Sequence, residues 1–225
     1  MNPTIPTRWT SSSSHRGRSP GGEGSTALHS EYHPVKRSKS NCPKDCPYVG
    51  KGGLKLDFAL KHFELDVTGL VAADLGCHIG GFTDCLLQNG AAKVYSVDTA
   101  YGQLAWKLRT DPRVVVCERT NAIHWQSPEL VDFVVSDLGW TGQARSLPII
   151  ARSLKPGGKA LSLVKPQYEA PKEWLTRGVL PEERIEEVMA TARAICPPEL
   201  RILGEILSPY IGSGGNHEVW LLLQH

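Results

Sequence analysis

The sequence predicts an α/β fold: a mostly parallel sheet with helices on both faces and an antiparallel hairpin at its C-terminal end. Three observations carry that prediction. Short apolar stretches at 70–75, 93–98, 113–117, 131–137 and 158–164 alternate with helix-like segments, which is the pattern of consecutive strand-helix-strand units. The first stretch runs into a Gly-rich turn, Asp74-Leu75-Gly76-Cys77-His78-Ile79-Gly80-Gly81, and then into a helix beginning at Phe82-Thr83-Asp84. Two later β-rich stretches, 200–207 and 217–223, are joined by Ser208-Pro209 and Gly212 to Gly215, turn residues that suit a hairpin. A chain of 225 residues fits one folded domain plus a tail.

That tail is residues 1–46. It holds seven Lys or Arg (Arg8, Arg16, Arg18, Lys36, Arg37, Lys39, Lys44) against three acids (Glu23, Glu31, Asp45). Ser11 to Ser14, Ser19-Pro20-Gly21-Gly22 and a scarcity of large apolar side chains leave it too little buried surface to offset chain entropy. A disordered, basic Ser/Gly/Pro-rich arm is expected, able to track a polyanion, with the folded domain over 47–225. No apolar signal core follows the start, and no apolar run approaches a membrane span. A soluble, cytoplasmic protein is the expectation. Cys42 and Cys46, with His29 and His33, could supply four zinc ligands, but their spacing matches no standard finger. A pair of linker cysteines and no metal is expected. Cys77, Cys85, Cys117 and Cys196 fall in or beside core elements and read as free thiols.

The elements follow in order. Gly52-Gly53 precede a helix over 54–63 with apolar residues at helical spacing, and Lys51 and Lys55 share one face of it. Residues 143–154 read as a helix stopping before the turn Pro156-Gly157-Gly158, which leads into a strand. Pro181-Glu182-Glu183 opens a helix whose first-turn acids complement its dipole; it runs to about Ile195, before Pro197-Pro198.

The Gly-rich turn is a nucleotide-binding elbow, because glycines accept positive φ and let the main chain approach a ligand. A dinucleotide site wants G-x-G-x-x-G, whose second glycine makes room for a pyrophosphate. Here that position is His78, in the pattern Gly76-x-x-x-Gly80-Gly81. An acid, Asp98, closes the next strand, where a carboxylate can accept both hydroxyls of an adenosine ribose. A Gly-rich loop without a phosphate nest, plus an acidic strand end, suggests S-adenosylmethionine. Asp74 could orient the loop amides or the cofactor's ammonium.

Two more strands end in polar residues on the same side of the sheet: Val134-Val135-Ser136-Asp137 and Leu163-Val164-Lys165-Pro166. Open parallel sheets bind ligands at their carboxyl ends. Asp137 and Lys165 join Lys55 and Glu218, of Asn216-His217-Glu218, in a set that could carry chemistry. Outside such a set, Lys55 and Glu218 would read as a surface ion pair contributing no more than about 1 kcal/mol. Trp106, Trp140 and Trp220 read as core or pocket wall rather than base-stacking platforms.

From Tyr48-Val49 and Gly52-Gly53-Leu54-Lys55-Leu56 onward, the chain resembles the TlyA-type branch of the FtsJ-like ribose 2′-O-methyltransferases. The loop Asp74-Leu75-Gly76 with Gly80-Gly81-Phe82-Thr83-Asp84 carries the resemblance, as do Tyr101-Gly102-Gln103-Leu104-Ala105-Trp106 and Glu118-Arg119-Thr120-Asn121. Leu163-Val164-Lys165-Pro166-Gln167 and Gly215-Asn216 with Glu218 complete it, over roughly residues 48–224.

The resemblance implies a Rossmann-like methyltransferase fold and S-adenosylmethionine as cofactor. It also implies transfer to a ribose 2′-hydroxyl of ribosomal RNA, free or in a ribosomal subunit, through a Lys-Asp-Lys-Glu tetrad at Lys55, Asp137, Lys165 and Glu218. It points to Gly76, Gly80, Gly81 and Phe82 in the cofactor loop, with Asp74, Asp98, Gln103 and Asn121 as further cofactor contacts.

A ribose hydroxyl is a poor nucleophile at neutral pH, so a positioned base and in-line alignment both help. Lys165 is the candidate base if burial, Lys55 and the sulfonium lower its pKa. Asp137 would oppose that shift and orient the amine, and Glu218 would hold Lys55 or a ribose hydroxyl. The TlyA branch usually begins with a small RNA-binding domain, which residues 1–46 do not resemble, and Asp137-Leu138-Gly139-Trp140 departs from that branch's usual Val-Ser-Phe. Rival readings are a methyltransferase acting on a small molecule or another RNA, a hemolysin, and an RNA-binding protein that retains only the fold.

Overall fold

The computed structural model describes residues 45–212 and 214–225. Residues 1–44 of the expected tail, and with them the zinc reading of His29, His33 and Cys42, lie outside the described residues. Seven strands form one sheet: β1 (Val71–Leu75), β2 (Lys93–Val97), β3 (Val114–Cys117), β4 (Val131–Ser136), β5 (Leu154–Val164), β6 (Arg201–Leu207) and β7 (Val219–Gln224). Their spatial order is β3-β2-β1-β4-β5-β7-β6. The first five pair in parallel, whereas β7 lies antiparallel between β5 and β6. The predicted class, a mostly parallel α/β sheet with a C-terminal antiparallel hairpin, is the observed one.

Among the described residues there are six α-helices, one before β1 and five between strands: α1 (Lys51–His62), α2 (Gly81–Gln88), α3 (Trp106–Arg109), α4 (Gln143–Ser153), α5 (Pro166–Glu169) and α6 (Ile185–Ala194). Strand residues alternate between two buried layers, as a two-sided sheet requires. Leu56, Leu60, Phe82, Leu86, Phe133, Leu161 and Trp220 pack on the α1/α2 face. Leu147, Ile150, Val134, Val164, Met189, Leu221 and Leu223 pack on the α4/α6 face. Cys77 and Cys85 are buried, Cys117 and Cys196 half-buried, and all four are free thiols.

Three boundaries differ from the sequence expectation. Helix α1 begins at Lys51 rather than Leu54, so Gly52 and Gly53 lie inside its first turn. The glycines are there because α1 touches its neighbours through backbone. A Cβ on Gly53 would sit 2.3 Å from the Tyr48 ring, and one on Gly81 would sit 2.9 Å from Gly53 N. Pro156-Gly157-Gly158 does not separate helix from strand: β5 starts at Leu154 and carries those residues as an irregularity, its register with β4 shifting between Val131 and Phe133. The segment opened by Pro181 is a 3-10 turn over Glu182–Arg184 before α6 proper.

Candidate active site

The carboxyl ends of β1, β2 and β4 meet where the strand order reverses, the place open α/β sheets offer to ligands. The loop leaving β1 is held by its own backbone: Gly76 N and Cys77 N both donate to Val97 O, at 2.9 and 3.1 Å. Gly76 has φ +91°, and a Cβ there would meet Asp137 O at 2.5 Å, so the loop packs directly on the end of β4. Gly80, at φ +97°, has its missing Cβ space filled by Leu108 and Leu104. His78 takes a left-handed φ of +48°, uncommon for a residue with a side chain. Its N–H donates to Asp98 Oδ2 at 2.7 Å, and Ala100 N–H donates to Oδ1 at 2.8 Å. A carboxylate has about four acceptor positions, so Asp98 retains capacity toward a diol while it shapes the loop.

Asp74 is fully buried beneath this loop. Its Oδ2 accepts from Thr83 N at 2.9 Å and Thr83 Oγ1 at 2.7 Å, and Thr83 Oγ1 lies 2.8 Å from Ser96 Oγ. Burial pushes its pKa up to about 7, against the opposing Thr83 hydrogen bonds. Asp74 thus ties the end of β1 to the first turn of α2, and it lines neither cavity described below.

Two cavities open on either side of the loop and share Gly76, His78 and Asp137. The first, about 460 Å³, is walled by Asp98, Asn121, Ile123, Leu138 and Trp140 among others. Asn121 Oδ1 already accepts from Ile123 N at 3.0 Å, capping a short 3-10 turn. The second, about 550 Å³, is lined by Lys51, Lys55, Phe82, Asp137, Lys165 and Glu218 together with the loop glycines Gly76 and Gly81. All four residues of the expected tetrad therefore converge on one cavity. Lys55 Nζ donates to Glu218 Oε2 at 2.5 Å, with both side chains buried. Lys165 and Asp137 form a second ion pair.

Burial lifts the Glu218 carboxyl above the ordinary carboxylate range, while Lys55 opposes that rise. For Lys165 the opposition expected of Asp137 outweighs burial in the chain alone. Burial does push it down, but the Asp137 carboxylate, with Glu218 and Tyr168 behind it, holds the amine as an ammonium above its ordinary value.

Gln103 is exposed and lines neither cavity, because the turn after Asp98 carries it to the surface. Trp220 is fully buried against Phe82, ring centroids 5.5 Å apart, as expected of a core residue. Trp140 and Trp106 are not core residues, at 88% and 75% exposed. Trp140 sits at φ +59° and stacks on Tyr168 at the rim of the Asp98 cavity, so it is a wall with one open face.

Sequence reasoning did not advance three residues the structure brings to the site. Lys51 stands in the tetrad cavity, and its helical spacing from Lys55 was the available signal. Gly212 lies where a Cβ would press on Glu218 Oε1 at 2.7 Å. Asn216 ties the segment after α5 to the loop before β7 through Leu180 N and Gly178 O. Only tertiary structure reveals those last two.

A five-strand parallel array with an antiparallel strand inserted beside β5, a Gly-rich loop after β1 and an acid closing β2 define an α/β methyltransferase. Residues 48–223 match the FtsJ-like methyltransferase family, and the chain belongs to that family. YqxC of Bacillus subtilis, named as an rRNA methyltransferase, is 40% identical over 184 residues, covering 78% of this chain and 65% of YqxC. The 16S/23S rRNA (cytidine-2′-O)-methyltransferase TlyA of Mycobacterium tuberculosis is 41% identical, with 79% of this chain and 68% of TlyA covered. A solved Streptococcus thermophilus structure that carries a hemolysin name superposes with a TM-score of 0.77 at 38% identity, covering 81% and 69% of the two chains. The chain thus spans about two thirds of the length of these relatives. Among the described residues no helix is long and apolar enough to cross a membrane.

Proposed function

We propose that the protein transfers a methyl group from S-adenosylmethionine to a ribose 2′-hydroxyl of ribosomal RNA, in the cytoplasm, on free RNA or on a ribosomal subunit. The observation that carries this reading is the convergence of Lys55, Asp137, Lys165 and Glu218 on one cavity beside the Gly-rich loop. The residues present fit the cofactor. Asp98 offers spare acceptor positions to a ribose diol, and Asn121 and Ile123 wall the same cavity. Gly76, Gly81 and Phe82 line the passage toward the tetrad. Gly80 and Asp74 act from below by fixing the loop, and Gln103 is the expected contact that this geometry supports least. When bound, the cofactor supplies an electrophilic sulfonium methyl and a positive charge.

The chain's own residues supply alignment and proton removal. Asp137 holds the Lys165 side chain, and Glu218 holds Lys55, so two long and flexible side chains present fixed Nζ atoms to the acceptor ribose. Lys165 gives up its proton more readily once another cation joins Lys55 beside it. As the free amine, Lys165 Nζ would take the 2′-hydroxyl proton of the acceptor ribose. The basic residues of the tail would add sequence-independent phosphate contacts.

The test is transfer of label from radiolabelled S-adenosylmethionine to ribosomal RNA from cells lacking the gene, followed by alkaline hydrolysis. One alkali-resistant linkage, absent with Lys165→Ala, is expected. Cofactor binding without transfer to any RNA would overturn the reading.

A further inference from the structure

The tetrad cavity contains three lysines and two carboxylates. Lys55 is matched by Glu218 and Lys165 by Asp137. Lys51, the first residue of α1 and one helical turn before Lys55, is half-buried on the same wall. Its Nζ donates to the neutral carbonyl Ile211 O at 3.0 Å. Among the described residues no carboxylate forms an ion pair with it. Burial, and the Lys55 charge after it, lower its pKa, and the more distant Glu218 carboxylate, already paired with Lys55, offsets that only in part.

We propose that Lys51 binds the phosphodiester on the 3′ side of the target ribose. This rests on the RNA 2′-O-methyl transfer proposed above. In RNA the 3′-phosphate hangs from the carbon adjacent to the reacting one. Any internal nucleotide that brings its 2′-oxygen to Lys165 therefore brings an anion into the same cavity. A phosphate taken into a half-buried site without a cation is costly. Lys55 and Lys165 would have to abandon their carboxylate partners, Glu218 and Asp137, to meet it, whereas Lys51 exchanges only a neutral carbonyl.

Its position also favours phosphate over the cofactor's carboxylate. Lys51 is absent from the Asp98 cavity and sits with Ile211 and Glu218, at the acceptor end. Lys51 is thus a substrate-binding residue that makes the site prefer an internal nucleotide to a free nucleoside.

The experiment measures methyl transfer to ribosomal RNA at several salt concentrations for the full-length protein, Lys51→Ala and Lys51→Arg, with S-adenosylhomocysteine affinity measured by calorimetry. Lys51→Ala is expected to raise KM for RNA about tenfold with kcat nearly unchanged. It should also flatten the log–log salt dependence by about one phosphate's worth, roughly 0.7 to 0.9 in slope. Lys51→Arg should keep the slope, and S-adenosylhomocysteine affinity should stay within about twofold in both, which also reports a folded protein.

An unchanged salt slope overturns the inference. So does an equal loss of S-adenosylhomocysteine affinity, which would place the cofactor carboxylate on Lys51, or a loss confined to kcat with a shifted pH profile, which would make Lys51 a base. In those cases wild-type transfer persists and the methyltransferase reading stands. No transfer to any RNA by wild type overturns both.

Discussion

At Asp74 the chain buries a carboxyl completely, bonds one oxygen to Thr83 and leaves the other without a protein partner. Its pKa of about 7 exceeds the ordinary carboxyl value, so the sign of its linkage to stability is fixed. The contribution is complete below about pH 4, where folded and unfolded chains are both protonated. It is lost as pH rises through about 7. The melting temperature is expected to fall between pH 5 and pH 8, and Asp74→Asn should flatten that fall in a thermal-denaturation series. Glu218 and Glu169, also raised by burial, act in the same direction, so the flattening is partial.

Lys55→Met poses the converse case, since it strands Glu218 in the interior. Removing one partner of a buried pair costs about 3–5 kcal/mol. Urea unfolding should show that cost in full at pH 8 and less of it at pH 5, where Glu218 can take a proton. The pairing of Lys165 with Asp137 and of Lys55 with Glu218 was legible as an expectation, but the depth of burial that shifts Asp74 and Glu218 was not, because it depends on which elements cover them.

Among the elements, α1 and α2 meet through glycine backbone rather than side chains, and that contact sets where Lys51 and Lys55 stand. Gly81→Ala places a methyl 2.9 Å from Gly53 N, and backbone cannot swing aside as a long side chain can. We expect a loss of about 1–3 kcal/mol from overpacking. Methyl transfer should fall further than the lost folded fraction explains, because α1 must shift; chemical denaturation and initial rates on the same preparation check both. This contact also explains why the start of α1 was misplaced from sequence. Intrinsic propensity puts Gly52-Gly53 outside a helix, and only the neighbour reveals why they are inside. The same holds for Pro156-Gly157-Gly158, which has turn chemistry yet sits within β5. The strand positions and the Gly-rich loop were legible because hydrophobic spacing and φ requirements are local properties, whereas the order of the strands in the sheet was not read from the sequence. The exposure of Trp140, Trp106 and Gln103 was not, because it depends on which face of a loop is left uncovered.

Across the whole molecule the two ion pairs draw on widely separated parts of the sequence: α1, the ends of β4 and β5, and the start of β7. Trp220, one residue after Val219 opens β7, packs on Phe82 of the cofactor loop and has no exposed surface. Trp220→Ala is expected to cost about 3–5 kcal/mol and to weaken S-adenosylhomocysteine binding as Phe82 loses its support. Calorimetric unfolding and ligand titration test the two effects together. The position of β7 has a consequence for how the protein is made. It follows β6 in the sequence, yet it occupies an interior slot between β5 and β6, and His225 N–H still donates to Gly158 O. The ribosome delivers a chain from its N-terminus, and domains fold as they emerge. Here β6 cannot join the sheet until β7, made after it, has been released. A nascent chain that has not reached Val219 has neither a completed sheet nor the Lys55–Glu218 pair, so the cavity those residues line takes shape only after β7 has emerged.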